Sequence, residues 1–331
     1  MKLFHRVAVL AMALGLAIAV TPGFARSKQA VRSSSKAARA RHRLVIGFVE
    51  IGSESDWRKA HTKDVKKEAA RRGIELKFSD AQQKQENEIK AVKSFIVQKV
   101  DAIILAPVVQ SGWDPVLREA KRHHIPVILS DRGVKVSDPS LYATLVGPDF
   151  VEEGRMAAEW LARQTGGNCN VVELQGTIGS APAVDRKNGF MDAIAKYPGI
   201  KVIASQCGDF RRDGGRAVME ALIEREGKNI QAVYAHNDEM AIGAIEALDR
   251  AGMEPGKSVI VVSIDAVRAA FDEMVAGKLN ASVECTPLLG AGLLDACEKA
   301  IKGEKLPEFI PSKERVFDQS NAKEYISTRT Y

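Results

Sequence analysis

The feature that most constrains the fold is a regular alternation of short apolar segments with longer amphipathic ones, which starts at Leu44 and continues almost to the end of the 331-residue chain. Each short segment is a continuous apolar run, as expected for a strand buried on both faces of a parallel sheet. The longer segments place their apolar residues on one helical face, as in Gln85 to Lys99. This alternation predicts an α/β fold.

The alternation occurs twice. Segment VDAIILAP of the first half corresponds to IQAVYAHND of the second, and IPVILSD corresponds to SVIVVSID. The sequence therefore predicts two doubly wound parallel-sheet lobes, one repeating the other. The predicted strands are Leu44 to Val49, Glu75 to Ser79, Ala102 to Ala106, Val127 to Ser130, Tyr142 to Val146, Asn170 to Leu174, Lys201 to Ser205, Ile230 to Ala235 and Val259 to Ile264.

A strand and a helix remain after the second half is complete, Asn280 to Cys285 and Leu288 to Lys302. In the simplest arrangement the chain returns to the first lobe near Cys285, adds this helix, and crosses again near Pro311. With the first passage this makes three crossings, which predict a hinge. The predicted N-terminal lobe is 44–146 plus 286–312, and the predicted C-terminal lobe is 147–285 plus 313–331.

The first 25 residues have the pattern of a secretory signal peptide. Lys2 and Arg6 precede an uncharged apolar run of 14 residues, and small residues at Gly23 and Ala25 suit signal peptidase. Because this run is short for a bilayer, cleavage near Ala25 is favoured over an uncleaved membrane anchor. We therefore expect export to the periplasm.

Residues 26–43 carry seven basic side chains and no acidic one, which predicts a disordered basic leader. Nine of the 48 basic residues precede Leu44, so the 39 that remain face all 42 acidic residues. The net charge of +6 is thus a property of the N-terminus and does not predict nucleic-acid binding by the folded part.

The four cysteines match no metal-binding spacing, and the sequence predicts neither a metal nor another cofactor. Cys169 begins one predicted strand and Cys207 ends another, which places them at opposite ends of parallel neighbours. We expect no disulfide between these two, and pairings with Cys285 or Cys297 stay open.

Polar residues collect where the predicted strands end. In open parallel sheets, ligands bind beyond the carboxyl ends of the strands, and two lobes that face each other would line one cleft with both sets of ends. This rule, with the chemistry of the side chains, selects as candidate ligand contacts Glu54, Ser55, Asp56, Trp57, Arg58, Asp131, Arg132, Arg186, Asn237 and Asp265.

These side chains suit a neutral sugar, which presents hydroxyl groups in fixed directions and patches of C–H. Carboxylates accept hydroxyl hydrogens, guanidinium groups donate in forks, and Trp57 offers a flat face. Buried charges are tolerated only when they pair, so the acids and arginines should neutralise one another around the ligand.

Each candidate also has a purely structural interpretation. Ser55 is a good N-cap for the following helix, Trp57 could belong to the core, and Asp131 could cap a turn. Asn237 could hold a left-handed turn, and the neighbouring His236 is more typical of a packing residue than of a ligand contact.

Several segments together resemble the periplasmic galactofuranose-binding proteins, a subgroup of the ribose- and galactose-binding class of ABC-importer solute receptors. They include IGFVEIGSESDWRKA, DAQQKQENEIKAVKSF, IPVILSDR, NVVELQGTIGSAPAVDRKNGF and VYAHNDEMAIGAI. The resemblance extends from about Leu44 to the C-terminus. GSESDWR and DAQQKQEN carry the likeness to the subgroup, whereas the Asp, Arg and Asn at the strand ends are shared by the wider class.

The resemblance implies the type I periplasmic binding protein fold and a binding role without catalysis. Implied partners are one galactofuranose-like monosaccharide and the permease subunits of an ABC transporter, with the receptor itself monomeric. It also implies sugar contacts for the candidates above, except that Asp56 replaces a common glycine and would contact the ligand through its backbone. Phe210 and Gln175 are weaker candidates.

Other classes fit less well. A sugar-responsive repressor of this fold would need a helix-turn-helix before Leu44. An oxidoreductase would need G-x-G-x-x-G after the first strand, where the chain has Gly52 to Trp57. A glycosidase would need one protonated carboxylic acid, and Asp131 and Asp265 have arginines near them that favour ionised carboxylates. A sugar acid stays an alternative ligand, as does another pentose or hexose.

Overall fold

The computed structural model describes residues 43–331, so the predicted signal peptide and the predicted basic leader up to residue 42 lie outside the described residues. Within that range, no helix combines the length and the hydropathy needed to cross a membrane. The strands are β1 (Val45–Glu50), β2 (Glu75–Asp80), β3 (Ala102–Leu105), β4 (Val127–Ser130), β5 (Thr144–Gly147), β6 (Asn168–Gln175), β7 (Gly199–Cys207), β8 (Ala232–Ala235), β9 (Ile260–Asp265), β10 (Ala281–Glu284), β11 (Phe309–Pro311) and β12 (Val316–Asp318).

The helices alternate with these strands. They are α1 (Asp56–Arg72), α2 (Gln85–Val97), α3 (Asp114–Arg122), α4 (Phe150–Thr165), α5 (Ala181–Ile194), α6 (Arg212–Glu226), α7 (Asp238–Arg250), α8 (Arg268–Val275), α9 (Gly290–Ile301) and α10 (Ala322–Tyr325).

The strands form two six-stranded sheets, ordered β11-β5-β4-β3-β1-β2 and β12-β10-β9-β8-β6-β7. The pairs are parallel except at the edge of the second sheet, where β12 runs antiparallel to β10. The chain passes between the sheets after β5, after β10 and after β11. The residue limits of the two lobes stay predictions.

The buried side chains of the first sheet alternate between its two faces, as the period of two in a strand requires. Ile46, Phe48 and Ile104 pack on one face with residues of α1 and α9, whereas Val49 and Leu105 pack on the other with residues of α2 and α3. Helices on both faces explain why these strands are apolar throughout.

Three helices and two strands were missing from the sequence interpretation, namely α4, α8, α10, β11 and β12. Helix α4 begins immediately after the first crossing, with Asp149 as an N-cap that accepts from the backbone N–H groups of Val151 and Glu152. Its interior contains Gly154, a weak helix former, which lies where α4 and α5 approach too closely for any side chain. Gly154, which weakened the helical pattern in the sequence, is thus required by the packing of α4 against α5.

Candidate functional site

A cavity with about 20 Å³ of free volume lies between the carboxyl ends of the two sets of strands. That is room for about one water molecule, so the lining side chains lie close together around it. Nine of the ten predicted contact residues line it. The lining residues are Glu54, Ser55, Trp57, Arg58, Asp131, Arg132, Phe150, Pro182, Arg186, Phe210, Asn237, Asp265 and Cys285.

Asp56 is the predicted contact that does not line the cavity. Its carboxylate is exposed and accepts from Lys59 Nζ at 3.0 Å. Its backbone N–H points across the cleft at Glu239 Oε1 of the second lobe, at 3.5 Å. Asp56 therefore lies at the rim, where the lobes meet.

The start of α1 positions the first group of side chains. Ser55 is in extended conformation and its Oγ accepts from Arg58 N at 3.1 Å, so it is the N-cap of α1 as well as a lining residue. This cap begins the helix so that the side chains of Trp57 and Arg58, in its first turn, lie against the cavity.

Arg58 is the centre of the charge network in the first lobe. Its guanidinium lies 2.8 Å from Asp131 Oδ2, 3.2 Å from Glu50 Oε1 and 3.3 Å from Glu54 Oε1. Burial opposes the positive charge, but these three carboxylates outweigh it and raise the pKa of Arg58 above its ordinary value. Arg58 is consequently a fixed cation.

Behind Arg58, three buried groups have the order of a serine, histidine and acid triad. Ser130 Oγ lies 2.9 Å from His61 Nε2, and His61 Nδ1 lies 2.6 Å from Glu50 Oε2. Ser130 is fully buried and does not line the cavity, so its hydroxyl cannot reach a ligand as a nucleophile. Burial alone would raise the pKa of Glu50, but the nearby Arg58 and His61 lower it by more. The net pKa is therefore below its ordinary value, and the carboxylate is ionised.

Arg132 is buried with few partners. Its Nη1 donates to Val108 O at 3.4 Å, its Nε lies 3.6 Å from Asp131 Oδ2, and that Nε has no hydrogen-bond partner among the described residues. Burial, followed by repulsion from Arg58, lowers the pKa of Arg132 to about 10. A group so placed is ready to donate to an acceptor in the cavity.

Arg186 occupies the corresponding place in the second lobe and is well paired. Its Nε donates to Glu153 Oε2 at 2.7 Å, its Nη1 donates to His236 O at 2.5 Å, and its Nη2 lies 3.7 Å from Asp265 Oδ1. Burial raises the pKa of Asp265 well above its usual value, although Arg186 acts in the opposite direction.

The interpretation of Asn237 as a left-handed turn residue is wrong. Asn237 has φ −153° and is the N-cap of α7, where its Oδ1 accepts from Met240 N at 3.1 Å. Its Nδ2 donates to Phe210 O at 3.1 Å. Left-handed positions after the strands are instead Asp131, with φ 65°, Asp209, with φ 58°, Phe210, with φ 59°, and Ala266, with φ 57°.

His236 is fully buried and does not line the cavity. Its Nε2 lies 3.0 Å from Glu173 Oε1 and its Nδ1 accepts from Gly176 N at 3.4 Å. Burial lowers the pKa of His236 despite the nearby Glu173 carboxylate. The neutral imidazole is a packing group, as its sequence context indicated.

Aromatic rings bound the cavity from both lobes. The Trp57 ring stacks on His61 with 5.4 Å between centroids, and its Nε1 donates to Cys285 O at 2.6 Å. Phe210 lies opposite, with Arg132 Cζ 5.2 Å from its ring centroid. Trp57 is therefore both a core residue and a wall of the cavity.

Four lining residues were not among the ten predicted contacts: Phe150, Pro182, Cys285 and Phe210, the last of which was a weaker candidate. Phe150 and Cys285 follow the ends of β5 and β10, so the strand-end rule could have selected both. Pro182, inside the first turn of α5, has no comparable sequence signal.

The two lobes touch directly beside the cavity. Gln110 N of the first lobe donates to Gly179 O of the second at 3.0 Å. Arg58, Asp131, Arg186 and Asn237 are each at most 3% exposed. The chain thus has the geometry of a closed clamp.

Known proteins are similar to this chain. The chain matches the family described as periplasmic binding protein domain over residues 46–305. It is 51% identical over 290 residues to the galactofuranose-binding protein YtfQ of Escherichia coli strain K12, covering 86% of this chain and 91% of that protein.

Solved structures of sugar-binding proteins are also similar to this chain. The periplasmic component of the arabinose ABC transporter from Shewanella sp. ANA-3, bound to α- and β-L-arabinofuranose, is 49% identical, with a TM-score of 0.85 over 87% of this chain and 96% of its own. A Mycobacterium smegmatis protein in complex with β-D-fucofuranose is 46% identical, with a TM-score of 0.84 over 87% of this chain and 95% of its own. These likenesses confirm the predicted fold class.

Proposed function

This chain belongs to the family of periplasmic binding protein domains, and we propose that it is the sugar receptor of an ABC importer that closes around one monosaccharide in a furanose ring form. The family is one of binding proteins rather than enzymes. In this proposal the chain is exported to the periplasm and delivers the sugar to membrane permease subunits without transforming it.

The observation that carries the proposal is the balance of charge and hydrogen bonding in the cavity. Three arginines and three carboxyl groups line it, contributed by both lobes. The raised pKa of Asp265 favours its neutral form, but the ionised Glu50 lies 3.2 Å from Arg58 directly behind the lining, so the site has little net charge and favours a neutral guest over a sugar acid. Two lining atoms, Glu54 Oε2 and Arg132 Nε, have no hydrogen-bond partner among the described residues, and sugar hydroxyls could satisfy both.

The relatives support the proposed ring form. The Escherichia coli relative is named for galactofuranose, and the Shewanella and Mycobacterium structures hold arabinofuranose and fucofuranose. This chain retains charged and aromatic side chains from both lobes around a small cavity. We therefore expect it to select the five-membered ring from sugars that interconvert in water.

Binding of D-galactose labelled with ¹³C at the anomeric carbon tests the proposal. We expect calorimetric titration of the exported protein to show one site for galactose or L-arabinose, and the carbon signal of the bound sugar to report a furanose. Methyl galactopyranoside, whose ring is locked, should not bind, and galacturonate should bind more weakly than galactose.

Small-angle scattering on the same samples should show a smaller radius of gyration with sugar than without it, because a guest held by both lobes favours the closed arrangement. Recovery of a chemically altered sugar would contradict the binding role. A bound six-membered ring would contradict the proposed ring selection.

A further inference from the structure

A cluster of three side chains lies at the crossings between the sheets, next to the cavity. Glu153 belongs to α4, Cys285 follows β10, and Glu314 lies between β11 and β12. One ligand atom from each lies within 4.8 Å of those of the other two. These positions are far apart in sequence, so no spacing motif announces the cluster.

Glu153 contributes an oxygen that nothing in the described part of the chain satisfies. The residue is fully buried, and its Oε2 accepts from Arg186 Nε at 2.7 Å. Its Oε1 makes no well-formed hydrogen bond within residues 43–331, and besides Arg186 the side chains that interact with Glu153 include the Cys285 thiol and the Glu314 carboxyl group. An unpaired carboxylate oxygen in the interior is costly unless a proton or a cation binds there.

The three side chains are all acids, two carboxyl groups and a thiol, packed within 4.8 Å of one another. Their charged forms would repel one another at such distances, and a cation bound among them would relieve that repulsion. A metal ion that binds the Cys285 thiol releases its proton.

We propose that Glu153, Cys285 and Glu314 bind one divalent cation of the zinc class at the crossings between the sheets. A thiolate with two carboxylates is a donor set that zinc accepts, with bonds of about 2.3 Å to sulfur and about 2.0–2.2 Å to oxygen. Tetrahedral ligands at those lengths lie roughly 3.5 Å apart, so the side chains need to move by about 1 Å.

Glu314 is the most exposed member of the cluster, and Cys285 also lines the sugar cavity. Glu153 and Cys285 are buried, but Glu314 is half-buried, and its Oε1 accepts from Ser312 Oγ at 2.7 Å on the outer crossing segment. Rotation of this one side chain can admit the ion from outside the sugar cavity. Because the site needs no sugar, it can be tested separately from the proposed function.

Zinc titration of the exported, tag-free protein after treatment with a chelator tests the proposal. We expect one zinc ion per chain. Zinc affinity should fall more than about 100-fold in Cys285→Ser and in Glu314→Gln, because losing a residue that binds the metal directly should cost more than losing a hydrogen-bond partner of such a residue, which costs about 10–100-fold. Cobalt in place of zinc should give a sulfur-to-cobalt charge-transfer band that Cys285→Ser lacks.

Cys207→Ser is the matched control, because Cys207 is a partly exposed thiol whose Sγ donates to Gly176 O outside the cluster. It should bind zinc and cobalt as the unmodified chain does. Circular dichroism would show that each variant is folded, and Glu314→Gln, at a half-buried position, tests the site even if Cys285→Ser unfolds. No zinc bound by the folded chain, or equal binding in Glu314→Gln and Cys207→Ser, would overturn the proposal.

Discussion

At the scale of single residues, the arginines of the cavity differ in how much of their hydrogen-bonding capacity the protein itself uses. Arg186 bonds Glu153 and the carbonyl of His236 at short distances. Arg132 has one weak bond, to Val108 O at 3.4 Å, and an Nε without a partner. Arg186 thus stabilises the apo fold, whereas Arg132 is available to a ligand.

The pair Arg132→Gln and Arg186→Gln separates these roles. Arg132→Gln should leave the free energy of unfolding of the sugar-free protein nearly unchanged and weaken sugar binding by about 10–100-fold, as a hydrogen bond to a charged group is worth about 1.5–3 kcal/mol. Arg186→Gln should cost about 3–5 kcal/mol of stability, because it leaves Glu153 buried and unpaired. Urea unfolding measures the stability of each variant, and calorimetry measures its sugar affinity. Equal stability losses in the two variants would contradict the structural role assigned to Arg186.

At the scale of elements, the second-lobe wall of the cavity depends on the close crossing of α4 and α5. A Cβ at Gly154 would collide with the carbonyl oxygen of Arg186, and a Cβ at Gly189 would collide with that of Val151. These glycines let the helix that carries Phe150 approach the helix that carries Arg186. The contact sets the distance between an aromatic wall and a cation.

Gly154→Ala should therefore destabilise the protein by about 1–3 kcal/mol through overpacking, although alanine favours a helix by about 1 kcal/mol over glycine. It should also weaken sugar binding, since Phe150 and Arg186 move apart. The control is Gly292→Ala in α9, where the new Cβ would meet only the side chain of Val146 at 3.3 Å. Urea unfolding of both variants checks this, and a Gly154→Ala protein as stable as the control would show that the crossing can relax.

At the scale of the whole molecule, buried carboxyl groups with raised pKa values set the dependence of stability on pH. Burial raises the pKa of Glu88 to about 8 and that of Asp238 to about 7. Between the unfolded and folded pKa values the folded state binds more protons, so stability falls as pH rises through that window. Glu50 and Glu173 have lowered pKa values and act in the opposite direction at lower pH.

The melting temperature of the sugar-free protein should accordingly fall between about pH 5 and about pH 9. Glu88→Gln should reduce that fall, because the contribution of Glu88 is complete below its unfolded pKa of 4.5 and is lost as pH passes its folded value of about 8. Glu86→Gln, an exposed position on the same helix, is the control and should keep the full slope. Identical pH profiles for the two variants would contradict a buried, protonated Glu88.

Much of this molecule could be predicted from local pattern. Apolar runs and helical periodicity predicted the two doubly wound lobes, and the rule that ligands bind at strand ends selected nine residues that line the cavity. The predicted membership of a sugar-receptor family is confirmed by the relatives. The physical reason is that strand and helix periods are properties of neighbouring residues, and strand ends of parallel sheets necessarily meet at one edge.

What only the tertiary structure decided is which distant groups share their partners. Nothing in the sequence indicates that Arg186 is paired with Glu153 while Arg132 keeps an Nε without a hydrogen-bond partner among the described residues, or that Cys285 and Glu314 lie beside Glu153. Helix α4 was missed for the same reason, since its Gly154 is explained only by contact with α5. Residue type and spacing determined where the strands end, whereas the packing of the crossings determined what meets there, because those contacts join segments from about 30 to about 160 residues apart.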